Sequence, residues 1–261
     1  MSSTTKRLST LLLLLMAVAG CATPPHRVAP ETAVKLKRIG VVSAVADSFT
    51  RRYVGWTVFN NEFEDLDIRD WAIDQTYEAQ MAAAIDQVPG KTAVRAPYDA
   101  AAFAHVNDAT GVLWRTATDE PNWAAIAEAS QAHCAANQLD ALLVTARWNS
   151  VDVLGAGYFS GVGIYMRGAG PDISLMYVMA NLGLIDCTNG QLLAARRLLK
   201  FDTLSGPLRL AIPVTTIPED ISLTPIPQWS ADVRDTVRSE LASVPESSWL
   251  PTIRQFFRPK R

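Results

Sequence analysis

The chain has 261 residues, of which 49% are hydrophobic and 19% charged, a balance that excludes an intrinsically disordered protein. Its net charge of −2 leaves no global basic field for nucleic acid, and no nucleic-acid partner is expected. Removing an export segment would leave roughly 240 residues, enough for one large domain with a full core. The first 21 residues divide into three parts. Lys6 and Arg7 give a positive start, Leu8 to Val18 an apolar run containing five consecutive leucines, and Val18-Ala19-Gly20-Cys21 a small-residue ending. A run this short reads as an export signal and not as a spanning helix. Beyond it, no apolar stretch reaches the roughly 20 residues that would cross a bilayer.

The last four of these residues resemble the lipobox of bacterial lipoproteins, although that family favours leucine where Val18 stands. The resemblance implies cleavage before Cys21 and acylation of its sulfur with palmitate-type chains. Because Ala22 and not aspartate follows, it also implies the inner leaflet of the outer membrane, facing the periplasm. Several acyl chains anchor where a single chain would not. The plain alternative is an ordinary cleaved signal with an incidental cysteine. From Ala22 to about Lys37 the prolines at 24, 25 and 30 disfavour helix and strand, so this stretch is expected to be a flexible tether.

Arg38 to Ala46 reads as a first strand and Tyr53 to Phe59 as a second, with an Asn60-Asn61 turn and a return over Glu62 to Leu66. A helix follows, capped by Asp67 or Asp70, with Ile73, Tyr77, Met81, Ala84 and Ile85 as its apolar stripe; Pro89-Gly90 ends it. Lys91 to Arg95 is a short strand, and Ala100 to His105 a helical turn. A helix beginning near Pro121 aligns Trp123, Ile126, Ala127, Ser130 and Cys134 on one face. Leu139 to Val153 is a buried strand. Ile173 to Ile185 reads as one long strand, apolar on both sides, that turns at Asn189-Gly190 and returns over Gln191 to Phe201. Pro207 to Pro227 should wrap the surface as extended chain. Ser230 caps a helix through Leu241, and Trp249 to Phe257 forms another short helix.

This order predicts an α/β (α+β) fold: a mixed, mostly antiparallel sheet flanked by helices, in a single domain on a lipidated tether. The expected divisions are a signal peptide over 1–20, a lipidated cysteine and tether over 21–37, an α/β core over 38–205, and a proline-rich segment with terminal helices over 206–261. With its early strand at Ile39 to Val42, central strand at Leu139 to Val144 and hairpin at Asp186 to Leu192, the chain resembles in outline the LpoB/CsgG-like envelope lipoproteins. The likeness lies in element order and transfers no functional residue.

If Cys21 carries lipid, Cys134 and Cys187 remain as an even pair in an oxidising compartment. They would lie at one end of the sheet, where a disulfide is feasible; two buried free thiols are the alternative. His133 beside Cys134 is not a metal pair, because adjacent helical residues diverge, and no metal or cofactor is expected. The glycines from Gly155 to Gly170 lack a phosphate-loop ending. Tyr158, Phe159, Ile164, Tyr165 and Met166 among them are candidates for contact with a protein partner or a membrane; an irregular connection folded on the sheet is the bland alternative. No Gly-x-Ser-x-Gly elbow is present to serve His105 or His133. Glu62, Glu64, Asp65 and Asp67 could furnish a carboxylate pair for glycan cleavage, but also read as a solvated hairpin. The ending Phe256-Phe257-Arg258-Pro259-Lys260-Arg261 could touch acidic lipid head groups or simply fray. The resulting expectation is a non-enzymatic binding, assembly or regulatory lipoprotein of the cell envelope with a protein partner. An envelope hydrolase on peptidoglycan or glycan, and a homo-oligomeric secretion component, are the alternatives; the oligomeric state is open.

Overall fold

In the computed structural model, residues 26–105, 121–151, 158–168, 173–198 and 214–258 are described. Strands β1 (Arg38–Ala44), β4 (Thr92–Val94), β5 (Ala141–Arg147), β10 (Ala180–Asp186) and β11 (Leu192–Arg197) form one mixed sheet in the order β11-β10-β5-β1-β4. Within it β1 pairs in parallel with both β4 and β5, and β10 is antiparallel to β5 and β11. A second sheet has the order β12-β9-β8-β2-β3, from β2 (Ser48–Val54), β3 (Glu62–Asp67), β8 (Val162–Arg167), β9 (Ile173–Val178) and β12 (Val214–Thr216). A small antiparallel pair joins β6 (Asn149–Val151) to β7 (Tyr158–Ser160). The helices are α1 (Pro30–Lys35), α2 (Ile73–Asp86), α3 (Trp123–Asn137), α4 (Glu219–Leu223), α5 (Ala231–Ser243) and α6 (Glu246–Phe257). The α+β class read from the sequence is thus present, with its strands shared between two mixed sheets.

Alternation along the strands builds two cores, because successive strand residues face opposite sides of a sheet. Ile39, Val41 and Leu143 enter the larger core with α2, α5, α6 and the second sheet. Val42, Ala44, Leu142 and Val144 enter the smaller one beneath α3. On α3, Ile126, Ser130 and Cys134 are buried at helical spacing. Trp123 lies so close to β10 that a Cβ on Gly183 would sit 2.2 Å from its ring, so only glycine fits there. The terminal helices close the larger core. The Tyr77 hydroxyl donates to the Leu241 carbonyl at 2.9 Å, and the Trp249 indole N–H donates to Gln80 Oε1 at 2.9 Å.

Several expectations are corrected. The apolar run Ile173 to Ile185 is two strands in two sheets. Met179 separates them, its N–H donating to the Gly161 carbonyl at 2.6 Å while its carbonyl accepts from Trp148 N–H at 3.3 Å. Continuous burial on both faces follows from each half lying inside its own sheet. The second strand runs over Ser48–Val54 and not Tyr53–Phe59, because the chain folds back at Gly55, where a Cβ would lie 2.5 Å from Asn60 Cβ. The tether expected through Lys37 gives way to packed structure from Val28 onward. Pro30 opens α1, where its missing N–H and fixed φ suit the first turn. Val28 and Leu36 are buried, and Val28 N–H donates to the Phe256 carbonyl at 2.9 Å. Neither Asp67 nor Asp70 caps α2; Ala72 holds that position with φ 54°.

Cys134 and Cys187 are joined by a disulfide with a Cα–Cα distance of 5.5 Å, closing a loop with a sequence separation of 53. It ties α3 to the end of β10. A loop of this size constrains the unfolded chain, so reduction is expected to lower stability by about 2–4 kcal/mol. Urea midpoints with and without reductant, compared with a Cys134→Ala/Cys187→Ala variant, measure this.

Candidate functional site

Strand β1 lies between two parallel neighbours. The chain reaches β4 through α2 on one face of the sheet and β5 through α3 on the other. Such a reversal leaves a crevice outside the carboxyl ends of the strands. A cavity of about 620 Å³ lies there, bounded by Ala44 at the end of β1 and Ala46 after it, by Asp74 and Glu78 on α2, and by Arg95 and Tyr98 after β4. Its wall is completed by small residues on the turn at Ala100–Phe103, which Asp99 caps by accepting the Ala101 N–H at 3.0 Å.

Asp74 holds the end of β1. Its carboxylate accepts the Ser43 hydroxyl at 2.6 Å and the Val45 and Ala46 N–H groups at 3.1 and 3.2 Å. Burial pushes its pKa up, against the pull of these three donors. Each of the three stands at the point where the chain leaves one sheet for the other, so Asp74 is a clamp and not a free base.

Tyr98 and Glu78 form the adjoining polar pair. The Tyr98 hydroxyl accepts Ser43 N–H at 3.0 Å, lies 2.7 Å from the Ser43 carbonyl, and is hydrogen-bonded to Glu78 Oε1. A phenol has one proton, and the Ser43 carbonyl can only accept. When Tyr98 donates to that carbonyl, the bond to Glu78 needs a proton from the carboxyl group. Burial raises the Glu78 pKa against the Tyr98 hydrogen bond and the Arg95 charge, which lower it, and burial followed by the Glu78 contact raises that of Tyr98. The Arg95 guanidinium stands 4.0 Å from Glu78, donates to the Gln75 carbonyl at 3.4 Å, and is half exposed. It brings a positive charge to the cavity rim, which Arg69, Asp47 and Asp99 also line. The other acids at the rim are engaged elsewhere, Asp47 with Arg147 at 2.8 Å and Asp99 in its cap.

The residues singled out from sequence are dispersed around this cavity. Cys21 falls outside the described residues, and Cys134 and Cys187 form the disulfide already described. The backbones of Tyr158 and Phe159 pair with Val151 and Ser150. Ile164, Tyr165 and Met166 are buried in the second sheet, so those three present no surface to a partner. They lie inside because β8 is a central strand covered on both faces. Exposed aromatics are instead Trp56, Phe59 and Phe63, around the β2–β3 turn. The acids proposed for glycan chemistry hold the fold. Glu62 Oε2 lies 3.0 Å from the buried Arg51 guanidinium, and Glu64 accepts Ile226 N–H at 2.7 Å. Asp65 accepts the Thr50 hydroxyl at 2.7 Å. Asp67 is held at about 2 by hydrogen bonds from Arg69.

His105 is exposed, while His133 packs edge-on against Tyr98 and Phe103, and burial lowers its pKa. Among the described residues no three His, Cys, Asp or Glu side chains gather as a metal site. Sequence reading missed Ser43, Asp74, Glu78, Arg95 and Tyr98. The available signal was two acids one turn apart, at 74 and 78, interleaved with the apolar stripe of α2.

No family model and no curated relative matches the chain. Solved structures similar to it include a PelC dodecamer from Paraburkholderia phytofirmans, at 9% identity over 92% of this chain and 96% of that one, with a TM-score of 0.36. A single-substitution variant of the same PelC dodecamer is 10% identical over 85% and 91% of the two chains, with a TM-score of 0.30. Likeness at these scores carries no argument about this chain.

Two outcomes follow from the cluster. Asp74→Ala leaves the Ser43, Val45 and Ala46 donors without their acceptor and should lower unfolding free energy by about 3 kcal/mol, given roughly 1–3 kcal/mol for each stranded buried group. Glu78 binds its proton more tightly folded than unfolded. Its contribution to stability is therefore present at acid pH and is lost as pH rises from its ordinary value of 4.5 through the raised one. Glu78→Gln keeps a donor toward Tyr98 without titrating. In urea unfolding, its stability relative to the parent should improve as pH rises across that interval; a constant difference would refute the raised Glu78 pKa.

Proposed function

We propose that this chain is a lipoprotein of the outer membrane, anchored through Cys21 and facing the periplasm, where it binds another envelope protein without catalysing a reaction. The observation that carries the reading is the Cys134–Cys187 disulfide, which suits an oxidising compartment outside the cytosol. The Val18–Cys21 sequence supports the same compartment independently. Among the described residues no helix is long and apolar enough to cross a membrane, and acyl chains on Cys21 are the attachment in this reading.

The cavity at the ends of β1 and β4 supports the binding role. Its acids are committed to backbone and side-chain partners, whereas Arg95 at its rim is half exposed and held only by a 4.0 Å approach to Glu78 and a 3.4 Å hydrogen bond to the Gln75 carbonyl. An acidic side chain or a terminal carboxylate of a partner chain fits a guanidinium placed this way, with apolar contact to Ala44, Ala96 and Ala104.

Growth with an alkyne-bearing palmitate analogue tests the anchor. Label should appear on the wild-type protein and vanish in Cys21→Ser; an unlabelled wild-type protein overturns the lipoprotein reading. A photoreactive residue at Ala101, on the exposed cavity wall, tests binding in cells. A discrete adduct is expected that weakens at least tenfold when Arg95 is changed to glutamate. Absence of an adduct, or one indifferent to Arg95, rejects the cavity as the contact site.

A further inference from the structure

The two ends of the described chain meet on one face. Val28 N–H donates to the Phe256 carbonyl, so the entry of the chain is stitched to the last turn of α6. Lys91 joins them, since its ammonium donates to the carbonyls of Ala33 in α1 and of Leu36 just after it, and lies 5.1 Å from the centre of the Phe257 ring. Around this junction run two adjoining hollows of about 550 and 470 Å³, which share Val88, Pro89, Phe257 and Arg258. Val34 stands on their rim with 75% of its surface exposed, an unusual position for an aliphatic side chain.

The charges here have one predominant sign. Arg27, Lys35, Lys37, Arg254 and Arg258 are exposed on these elements, against Glu31, Asp86 and Asp140; Asp86 accepts the Ala93 N–H, and Asp140 the Lys37 and Arg38 N–H groups. The charge of the whole chain is slightly negative, so this cationic group is a local feature. Lys260 and Arg261 follow in sequence, outside the described residues.

We propose that the face formed by α1, the Val88–Lys91 turn and the end of α6 rests on an anionic phospholipid surface. Val34, Pro89 and Phe257 would supply its apolar contacts and Lys35, Lys37 and Arg258 its charges. The proposal rests on the anchored reading for its orientation. Only six residues lie between Cys21 and the packed Val28, and the seven steps of extended chain that join them span at most about 25 Å. Lipid on Cys21 therefore attaches the domain at this face, within about 25 Å of the bilayer. Basic side chains beside exposed apolar ones are the chemistry that an acidic bilayer surface attracts.

The test uses the chain from Ala22 onward, which contains every described residue and no acylation site. It is mixed with vesicles of equimolar phosphatidylglycerol and phosphatidylcholine, and with vesicles of phosphatidylcholine alone. Sedimentation should show salt-sensitive binding to the acidic vesicles. The triple variant Lys35→Glu/Lys37→Glu/Arg258→Glu should bind them on the order of a hundredfold more weakly, at roughly fivefold or more per reversed charge. Val34→Asp should also weaken binding, whereas Arg234→Glu/Arg238→Glu on the exposed side of α5 should leave it unchanged. Circular dichroism confirms that each variant is folded. Equal binding to the two vesicle types, undiminished binding by the triple variant, or an equal loss in the α5 variant overturns the proposal. Because this chain lacks Cys21, that result is independent of the palmitate experiment, and failure of either reading is recognised separately.

Discussion

The clamp that Asp74 makes on the end of β1 fixes the geometry of the whole chain. At residues 43 to 46 the backbone leaves one sheet and begins the other, and two amides there have no strand partner. The carboxylate of Asp74 accepts both, together with the Ser43 hydroxyl, from the first turn of α2. A buried amide left unpaired is more costly than the net gain from making its bond. The helix start and the sheet crossing are therefore set by the same atoms, and a shift in either would strand several donors at once.

A second joint works by the same logic at the other sheet. The buried guanidinium of Arg51 donates to the Ser222 and Leu223 carbonyls at 2.9 Å and pairs with Glu62. It thereby fastens β2 to the polypeptide that leads into the terminal helices. Burying an arginine is tolerable only with its hydrogen bonds and charge satisfied. The acids of β3 supply that charge, which explains an acidic run on an edge strand without invoking catalysis. The charged side chains also discourage pairing of that edge with another strand.

Local chemistry made much of the fold readable. Val233, Val237 and Leu241 repeat at helical spacing after Ser230, and the Ser230 hydroxyl accepts Val233 N–H as the cap. The alternation of Ile39 to Ala44 and the spacing of Ile126, Ser130 and Cys134 carried similar information. What failed was information held by distant contacts. Periodicity cannot reveal that Met179 divides an apolar run between two sheets, because both halves are buried. Pro30 reads as a helix breaker until its place at a first turn is known. The cavity was least visible of all: Ser43, Asp74, Glu78, Arg95 and Tyr98 come from three segments that form no motif, and only the fold brings them together.

The direction of β1 relates the polar cavity to the α1 face. At its amino end, the Lys37 and Arg38 N–H groups donate to Asp140 at 2.8 Å, beside α1 and the start of β4. At its carboxyl end lie Ala44 and the polar cavity. Seven extended residues at about 3.3 Å each set these ends roughly 20 Å apart. If the α1 face lies against lipid, the Arg95 mouth opens away from it, toward whatever approaches from the periplasm. The rigid parallel strands between the two ends, and not the tether, would then determine how far from the membrane a partner is met. Lengthening the segment before Val28 would loosen the domain from the bilayer while leaving the cavity intact, because none of the atoms that shape the cavity belongs to that segment.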